Sequence, residues 1–381
     1  MWQRLKRNIP ARVGAIILLI FYLLAIGADF FAPYDPYQSQ LDGSLLPPTQ
    51  IYWTDQEGKF NPLVYPTTLG KTDINTGDRL LEKDKTKPSP IRFFVKGSSY
   101  NFLEITLPLP RKWKLTPFPH PQKLLDTTLF KGISLNRHLF GTMGEGKLNL
   151  LGTDEQGRDQ LTRLLFGGRI SLFIGIFGIA ISYPLGMLIG GISGYFGGII
   201  DSILMRLVEV LMTIPGIYLL VALSGFLLTV KEDLSNSQRF LLIILITSLI
   251  SWTGLARVIR GQVLAIKETE FVEAAQAIGA KPIYIIINHI LPQTASYIII
   301  SATLSIPGFI VAESVLSLIG LGIQQPDPSW GNLLSLGTNA SILVLQPWLI
   351  WSPALLIILT VLSFNLLGDG LRDALDPRSN K

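Results

Sequence analysis

Residues 268 to 292 read ETEFVEAAQAIGAKPIYIIINHILP and lie between two long apolar runs, about Phe240 to Leu255 and about Ala295 to Leu318. Phe271, Ala274 or Ala275, and Ile278 fall at i, i+3/i+4 and i+7, so the spacing predicts a helix of about two turns with one apolar face. Glu268, Glu270, Glu273 and Gln276 occupy much of the remainder. Gly279 is a natural helix stop, and Pro282 suits the first turn of a second helix. Ile283, Ile286, Ile287 and Ile290 give that second helix an apolar side, until Leu291-Pro292 is expected to turn the chain back toward the membrane. A short helix with small residues can seat closely in a groove on another protein. An amphipathic connector lying on lipid is the other reading of the same spacing.

The chain around this stretch is a membrane chain. It has 381 residues, with 32 Lys plus Arg against 27 Asp plus Glu, a net charge of +5. Charged residues make up 15%, against about 25% in an average soluble protein, and the mean hydropathy is +0.42. These values exclude a disordered chain and argue against an ordinary soluble enzyme. A span needs roughly 20 mostly apolar residues. Six runs qualify: Val13 to Phe31, about Ile170 to Ile192, about Leu207 to Val230, about Phe240 to Leu255, about Ala295 to Leu318 and about Leu349 to Leu367. Pro184, Pro215, Pro307 and Pro353 lie within them, which membrane helices tolerate.

Basic residues set the expected orientation. Arg4, Lys6, Arg7 and Arg12 precede the first run and place the N-terminus inside. Six crossings then put residues 268–292 and the C-terminal Arg372, Arg378 and Lys381 inside as well. Arg158, Arg163 and Arg169 disagree, but long external segments translocate largely regardless of charge. A cleaved signal peptide is the alternative for the first run; its apolar stretch is longer than an h-region of about 7–15 residues.

Residues 38 to about 150 carry many prolines, mixed charges and no spanning run. Ile91–Val95 and Phe102–Leu107 read as short strands, Asn75-Thr76-Gly77-Asp78 as a turn and Lys83–Pro88 as a charged loop. The segment is a small β or irregular external lobe, either a solvated decoration or a docking surface. Gly141–Lys147 matches part of a phosphate loop, but Leu148 stands where Ser or Thr should hold magnesium, so the chain has no visible engine of its own. It has no Cys and only three His, which makes thiolate catalysis impossible and a His-built metal site unexpected.

The run Glu273-Ala274-Ala275, Gly279, His289, Leu291-Pro292 resembles the EAA loop of binding-protein-dependent ABC import permeases. Leu151–Asp159 with Arg163 and Arg169, Ala312–Gly322 with Pro326, Pro328, Ser329, Trp330 and Gly331, and Phe364–Asp373 with Asp376-Pro377-Arg378 resemble the C-type subunit of the dipeptide/oligopeptide (Dpp/Opp) branch. The likeness is loose over 1–37 and close over 138–381. The insert departs from it; a long link at this place is found in some relatives resembling microcin C permeases.

The resemblance implies an all-α integral membrane core of six transmembrane helices with a small extracytoplasmic lobe. Its expected parts are a cytoplasmic N-terminus and first helix (1–37), an insert (38–150), a core (151–367) with its loop at 268–292, and a cytoplasmic tail (368–381). It implies half of the translocation pore of an ATP-driven importer of peptides or similar small solutes in a bacterial cytoplasmic membrane. Glu273, Ala274, Ala275, Gly279, His289, Leu291 and Pro292 would couple it to the motor. Two ABC ATPase subunits would hold the ATP and Mg, with none on this chain. A second permease subunit, an extracytoplasmic substrate-binding protein and membrane lipid complete the partners, with no nucleic acid and no covalent chemistry. Asp154, Arg158 and Asp159 are candidates for partner or binding-protein contacts, or else a structural ion pair or cap. Glu209 and Glu313, near the ends of their spans, read as structural charges that pair or snorkel, with a role in the substrate path as the alternative. A stand-alone secondary transporter or channel would want ionisable residues at mid-membrane or inverted repeats, and neither is clear.

Overall fold

The structure, a computed structural model, describes residues 5, 7–55, 57–72, 79–102, 105–109, 125–230 and 235–375. Among these, five helices are long and apolar enough to cross a membrane, and six crossings result when one bent helix pair counts as a span. Helix α1 runs Ile9–Ile26. Asn8 caps it by accepting the Ala11 N–H at 3.1 Å, and Pro10 lies in the first turn, where its missing N–H costs nothing. Helices α2 (Gln160–Phe196), α3 (Gly198–Thr213), α4 (Gly216–Val230) and α5 (Asn236–Ile266) follow. The chain then forms α6 (Glu270–Ala277), α7 (Ala295–Leu318), α8 (Trp330–Leu334) and α9 (Trp348–Leu375).

The expected third span, Leu207 to Val230, is not one rod. It is the pair α3 and α4, bent by 86°. A proline disfavours the α conformation in the residue before it, and Ile214 is extended at φ −81, ψ 122. Pro184, Pro307 and Pro353 remain inside continuous helices.

Small residues hold the bundle together. Gly186, Gly190 and Gly194 recur every fourth residue on α2. A Cβ at each would meet the carbonyl oxygens of Trp252, Ala256 and Arg260, which recur every fourth residue on α5. Backbones can approach this closely only where no side chain intervenes. On the same helix Gly175 and Gly178 admit Ile306 and Phe309 of α7. Gly14 of α1 lies against the Ser363 carbonyl of α9, and Gly370 of α9 against Ala11 of α1. Leu18, Ile174, Ile243, Ile310 and Phe364 form the main core between these helices.

The lobe is built of antiparallel strands. β1 (Tyr52–Thr54), β2 (Phe60–Val64), β5 (Ser89–Phe102) and β8 (Ile133–Thr142) form one sheet in the order β1-β2-β5-β8. β3 (Thr67–Thr72) pairs with β4 (Arg79–Lys83), and β6 (Ile105–Leu109) with β7 (Leu125–Phe130). The expected strand at 91–95 is the start of the 14-residue β5, and that at 102–107 overlaps β6. The turn expected at 75–78 lies outside the described residues. So do His120, Arg4, Lys6, Arg378 and Lys381. The lobe's stem is stapled to the start of the core: Gln40 N–H donates to the Gly157 carbonyl at 2.9 Å, Leu45 N–H to Asp154 at 3.0 Å and Thr153 N–H to Leu46 at 2.9 Å.

Candidate functional site

The loop at 268–292 folds as a helical hairpin. α6 begins after Thr269, with Glu270 and Glu273 in its first turn, where carboxylates complement the positive end of the helix dipole. It ends in a Schellman turn: Gly279 N–H donates to the Gln276 carbonyl at 2.9 Å and Ala280 N–H to Ala275 at 3.1 Å. Gly279 has φ +81, a conformation that costs other residues roughly 1–2 kcal/mol. Lys281 then opens a second helix with Pro282 in its first turn.

Which side of α6 is buried differs from the simplest expectation. Val272 and Ala275 face inward, packed with Ile259 and Val263 of α5, Tyr183 of α2, and Ile285 and Ile290 of the second helix. The row Phe271, Ala274 and Ile278 faces outward, with Ile278 85% exposed and Phe271 42%. Ile283, Tyr284 and Ile287 are exposed beside it. Glu273 is exposed too, and His289 sets its ring edge-on to Tyr284 at 5.6 Å. Sequence spacing missed Val272, the residue that anchors the hairpin, because its neighbours at i+3 and i+7 are Ala275 and Gly279.

Leu291-Pro292 does not turn the chain. The helix runs on from Pro282 to Leu318, through a π turn at Ile286–Ile290 and a 3-10 turn at Leu291–Thr294. Proline removes one donor and crowds the carbonyl four residues back, and these local changes of pitch absorb it. Leu291 is half-buried against the hairpin core and Pro292 is exposed. The hairpin is therefore continuous with α7 on one side and tied to α5 on the other by a three-residue turn, Lys267–Thr269. Nearby, Arg260 of α5 grips Asp201 of α3 with two hydrogen bonds of 2.5 Å.

The same two helices line a cavity of about 480 Å³ within the spans. Thr247, Ile250 and Ser251 of α5 face Ser305, Gly308 and Val315 of α7 across it, with Gly216 and Leu220 of α4. Among the described residues, its lining has no charged side chain. The Ser305 hydroxyl is 2.9 Å from that of Tyr183. A Cβ on Gly308 would meet nothing within 4 Å, so this helical glycine has no packing reason inside the chain.

At the opposite end of α2, Asp154, Arg158 and Asp159 are buried within the chain, at 1%, 4% and 2% exposure. Asp154 accepts Arg158 at 2.7 Å and Arg163 at 3.3 Å. Both guanidinium groups donate to Gln325 Oε1 at 2.7 Å. Asp159 caps α2 by accepting the N–H and hydroxyl of Thr162 at 2.8 and 2.7 Å. Burial pushes its carboxyl up to about 7 against the pull of those two bonds. Asp154, Arg158 and Arg163 thus bind one another inside the chain, while Asp159 is taken up by the helix cap. Glu209 pairs with Arg206 at 3.1 Å on the surface.

Glu313 of α7 is fully buried and is held by hydroxyls. Ser317 and Ser329 each donate to it at 2.7 Å and Ser171 at 3.4 Å. Each hydroxyl oxygen in turn accepts a backbone N–H: Ile323 at 3.2 Å, Asn332 at 3.0 Å and Trp330 at 3.0 Å. One carboxylate thus orders the segment from α7 through α8. Glu313→Gln replaces an acceptor by a donor facing donors. It should cost roughly 2–4 kcal/mol, read as earlier unfolding of the purified chain in denaturant. The added cost of Ser329→Ala should be much smaller in Glu313→Gln than in the unchanged chain; full additivity would contradict the network.

Residues 184–381 match the family of binding-protein-dependent transport system inner membrane components, and residues 1–48 match the N-terminal transmembrane domain of oligopeptide transport permease C. The oligopeptide transport system permease protein OppC of Haemophilus influenzae is 45% identical over 233 residues, which cover 60% of this chain and 70% of that protein. The dipeptide transport system permease protein DppC of Bacillus subtilis is 47% identical over 227 residues, covering 60% and 68%. The OppC of Escherichia coli K12 is 43% identical over 227 residues, covering 60% and 72%.

Proposed function

This chain belongs to the family of binding-protein-dependent transport system inner membrane components, and we propose that it forms one half of the translocation path of an ATP-driven importer of peptides or similar small solutes. The observation that carries this reading is mechanical. The hairpin at 268–292 is clamped to α5 and α7, and those two helices line the cavity. A push on the exposed row of α6 therefore moves the walls of the path.

In this reading the outward surface of Phe271, Ala274 and Ile278 seats in an ATPase subunit. Glu273 and Gly279 shape that contact, Ala275 holds the helix to the bundle, and Leu291 and Pro292 carry the motion into α7. His289 lies on the same hairpin. A second permease subunit closes the cavity, two ATPase subunits bind ATP and Mg, and an external binding protein delivers solute. ATP acts by biasing a two-state equilibrium of the spans. Both termini and the hairpin lie inside the cell, and the β lobe outside. Residues 1–37, 38–150, 151–367 and 368–381 are the working units, with the stem at 40–46 tied to the core. Asp154, Arg158 and Asp159 serve partners indirectly, by fixing the outer segment that meets them. The neutral lining of hydroxyls and apolar groups suits solutes of varied side chain, since no fixed charge selects among them.

The test is reconstitution with the ATPase pair, second permease and binding protein. Gly308→Phe should fill open cavity space, leave folding and ATPase association intact, and reduce uptake at least about tenfold. Uptake by the isolated chain without nucleotide, or full uptake by Gly308→Phe, contradicts the assignment.

A further inference from the structure

We propose that the β5–β8 ribbon of the lobe is a lipid-surface element that binds the anionic phospholipid headgroups beside α1. The proposal rests on the reading of α1 as a membrane span, and four observations lead to it.

The first is place. His138, 3% exposed, donates from Nδ1 to the carbonyl of Ala32 at 2.7 Å, and its Nε2 lies 3.1 Å from the Ser98 carbonyl and 3.3 Å from the Ser98 hydroxyl. A Cβ on Gly97 would collide with that ring, so the strand is shaped to receive it. The middle of the ribbon is thereby pinned to the residue that follows the short helix Ala28–Phe31. Phe94 lies 6.3 Å from Phe30, ring to ring. This is the level at which a span meets the headgroups, where aromatic side chains concentrate.

The second is exposure. Neighbouring residues on a strand normally point to opposite faces. Phe94 has φ +56, which breaks that alternation. Phe93 and Phe94 are 74% and 57% exposed. Two adjacent uncovered rings are a poor surface for water and a good one for an interface.

The third is charge. Arg92, Lys96, Lys131 and Arg137 are exposed on the ribbon, and residues 89–102 and 131–142 contain no Asp or Glu. Lys96 and Arg137 are cross-strand partners. Among the described residues none of the four pairs with a carboxylate. A one-sign patch complements a leaflet carrying anionic lipid, where each cation near the surface strengthens binding about fivefold.

The fourth is continuity. Ile16, Leu19, Ile20, Leu23 and Ile26 are among the exposed apolar residues of α1, and the side they present to lipid leads up to Phe30 and Phe94.

The chain has no cysteine, so Phe93→Cys offers a single labelling site. The full-length chain carrying a fluorophore there is placed in nanodiscs of phosphatidylcholine alone or with phosphatidylglycerol, each with a headgroup-level quenching lipid. Quenching should occur, and should be at least about twofold stronger with phosphatidylglycerol. That excess should vanish in about 0.5 M salt and when Arg92, Lys96, Lys131 and Arg137 are all replaced by Ser. Ile133→Cys, 61% exposed on β8, gives a second probe if the first variant folds poorly. Absence of quenching at both positions overturns the proposal. So does equal quenching in the two lipids, and so does shielding that appears only on addition of an external binding protein. Uptake by the assembled transporter is measured in parallel: its failure removes the permease reading and leaves the lipid result standing.

Discussion

Ile278→Asp is expected to abolish ATP-driven uptake while the chain still folds and inserts. Ile278 is 85% exposed, so the fold loses almost nothing when it changes. In the proposed complex the position is covered. Removing the isoleucine forfeits about 1.5–3 kcal/mol of apolar burial, and an unpaired carboxylate in its place adds a desolvation cost of several kcal/mol. Association with the ATPase should fall at least about a hundredfold, measured by pull-down with the purified subunit. Val272→Asp is the contrast. That residue is fully buried in the hairpin core, so its variant should lose the folded loop itself. Gly279→Leu falls between the two. A Cβ there meets nothing of this chain within 4 Å, so any effect on the loop's own fold comes from the strained left-handed backbone at the Schellman turn. Uptake should then fall while the membrane fold and ATP hydrolysis persist. Normal uptake in Ile278→Asp and Gly279→Leu together would remove the coupling role from this loop.

Gly190→Leu should leave no folded chain to purify. The added side chain would start in contact with the Ala256 carbonyl and close to Ile259 of α5. Backbone cannot yield as a flexible side chain does, so α2 and α5 must separate. Overpacking in a well-packed core costs about 1–3 kcal/mol, and parting two helices that also bury Leu255, Ile259 and Val263 costs more. Gly190→Ala should be a weaker version of the same defect. Gly308→Leu, on a helix with open space at its Cβ, should fold normally. Detergent-extracted yield and size-exclusion profiles distinguish the three. Equal yields would mean that the glycine stripe on α2 is not a contact.

The working loop shows how far one-dimensional reading reaches. The stop at Gly279 and restart at Pro282 are properties of those residues' own backbones, and both appear in the structure where spacing placed them. The apolar row Phe271, Ala274, Ile278 was also legible, as a row. Its direction was not. A row of apolar residues next to a membrane chain would ordinarily turn inward, yet Val272 and Ala275 fill that side, packed with Ile259 and Ile285. Pro292 was misread for a related reason. A proline allows a turn, but a π turn just before it and the packing of Leu291 let the helix continue. Pro215 does break its span, with the same covalent chemistry and different neighbours.

By itself the sequence determined the membrane class, the approximate positions of the spans, the presence of a small β lobe and the family. Each depends on run length, composition or a local backbone preference, which residues carry with them. Only the tertiary structure decided that Asp154, Arg158 and Arg163 close on one another, that Glu313 gathers hydroxyls from three segments, that α5 and α7 share a cavity, and which side of α6 is free. Those relations join residues up to about 170 positions apart. They are set by which backbones can approach and which polar groups lose water together, quantities that exist only once the helices are packed.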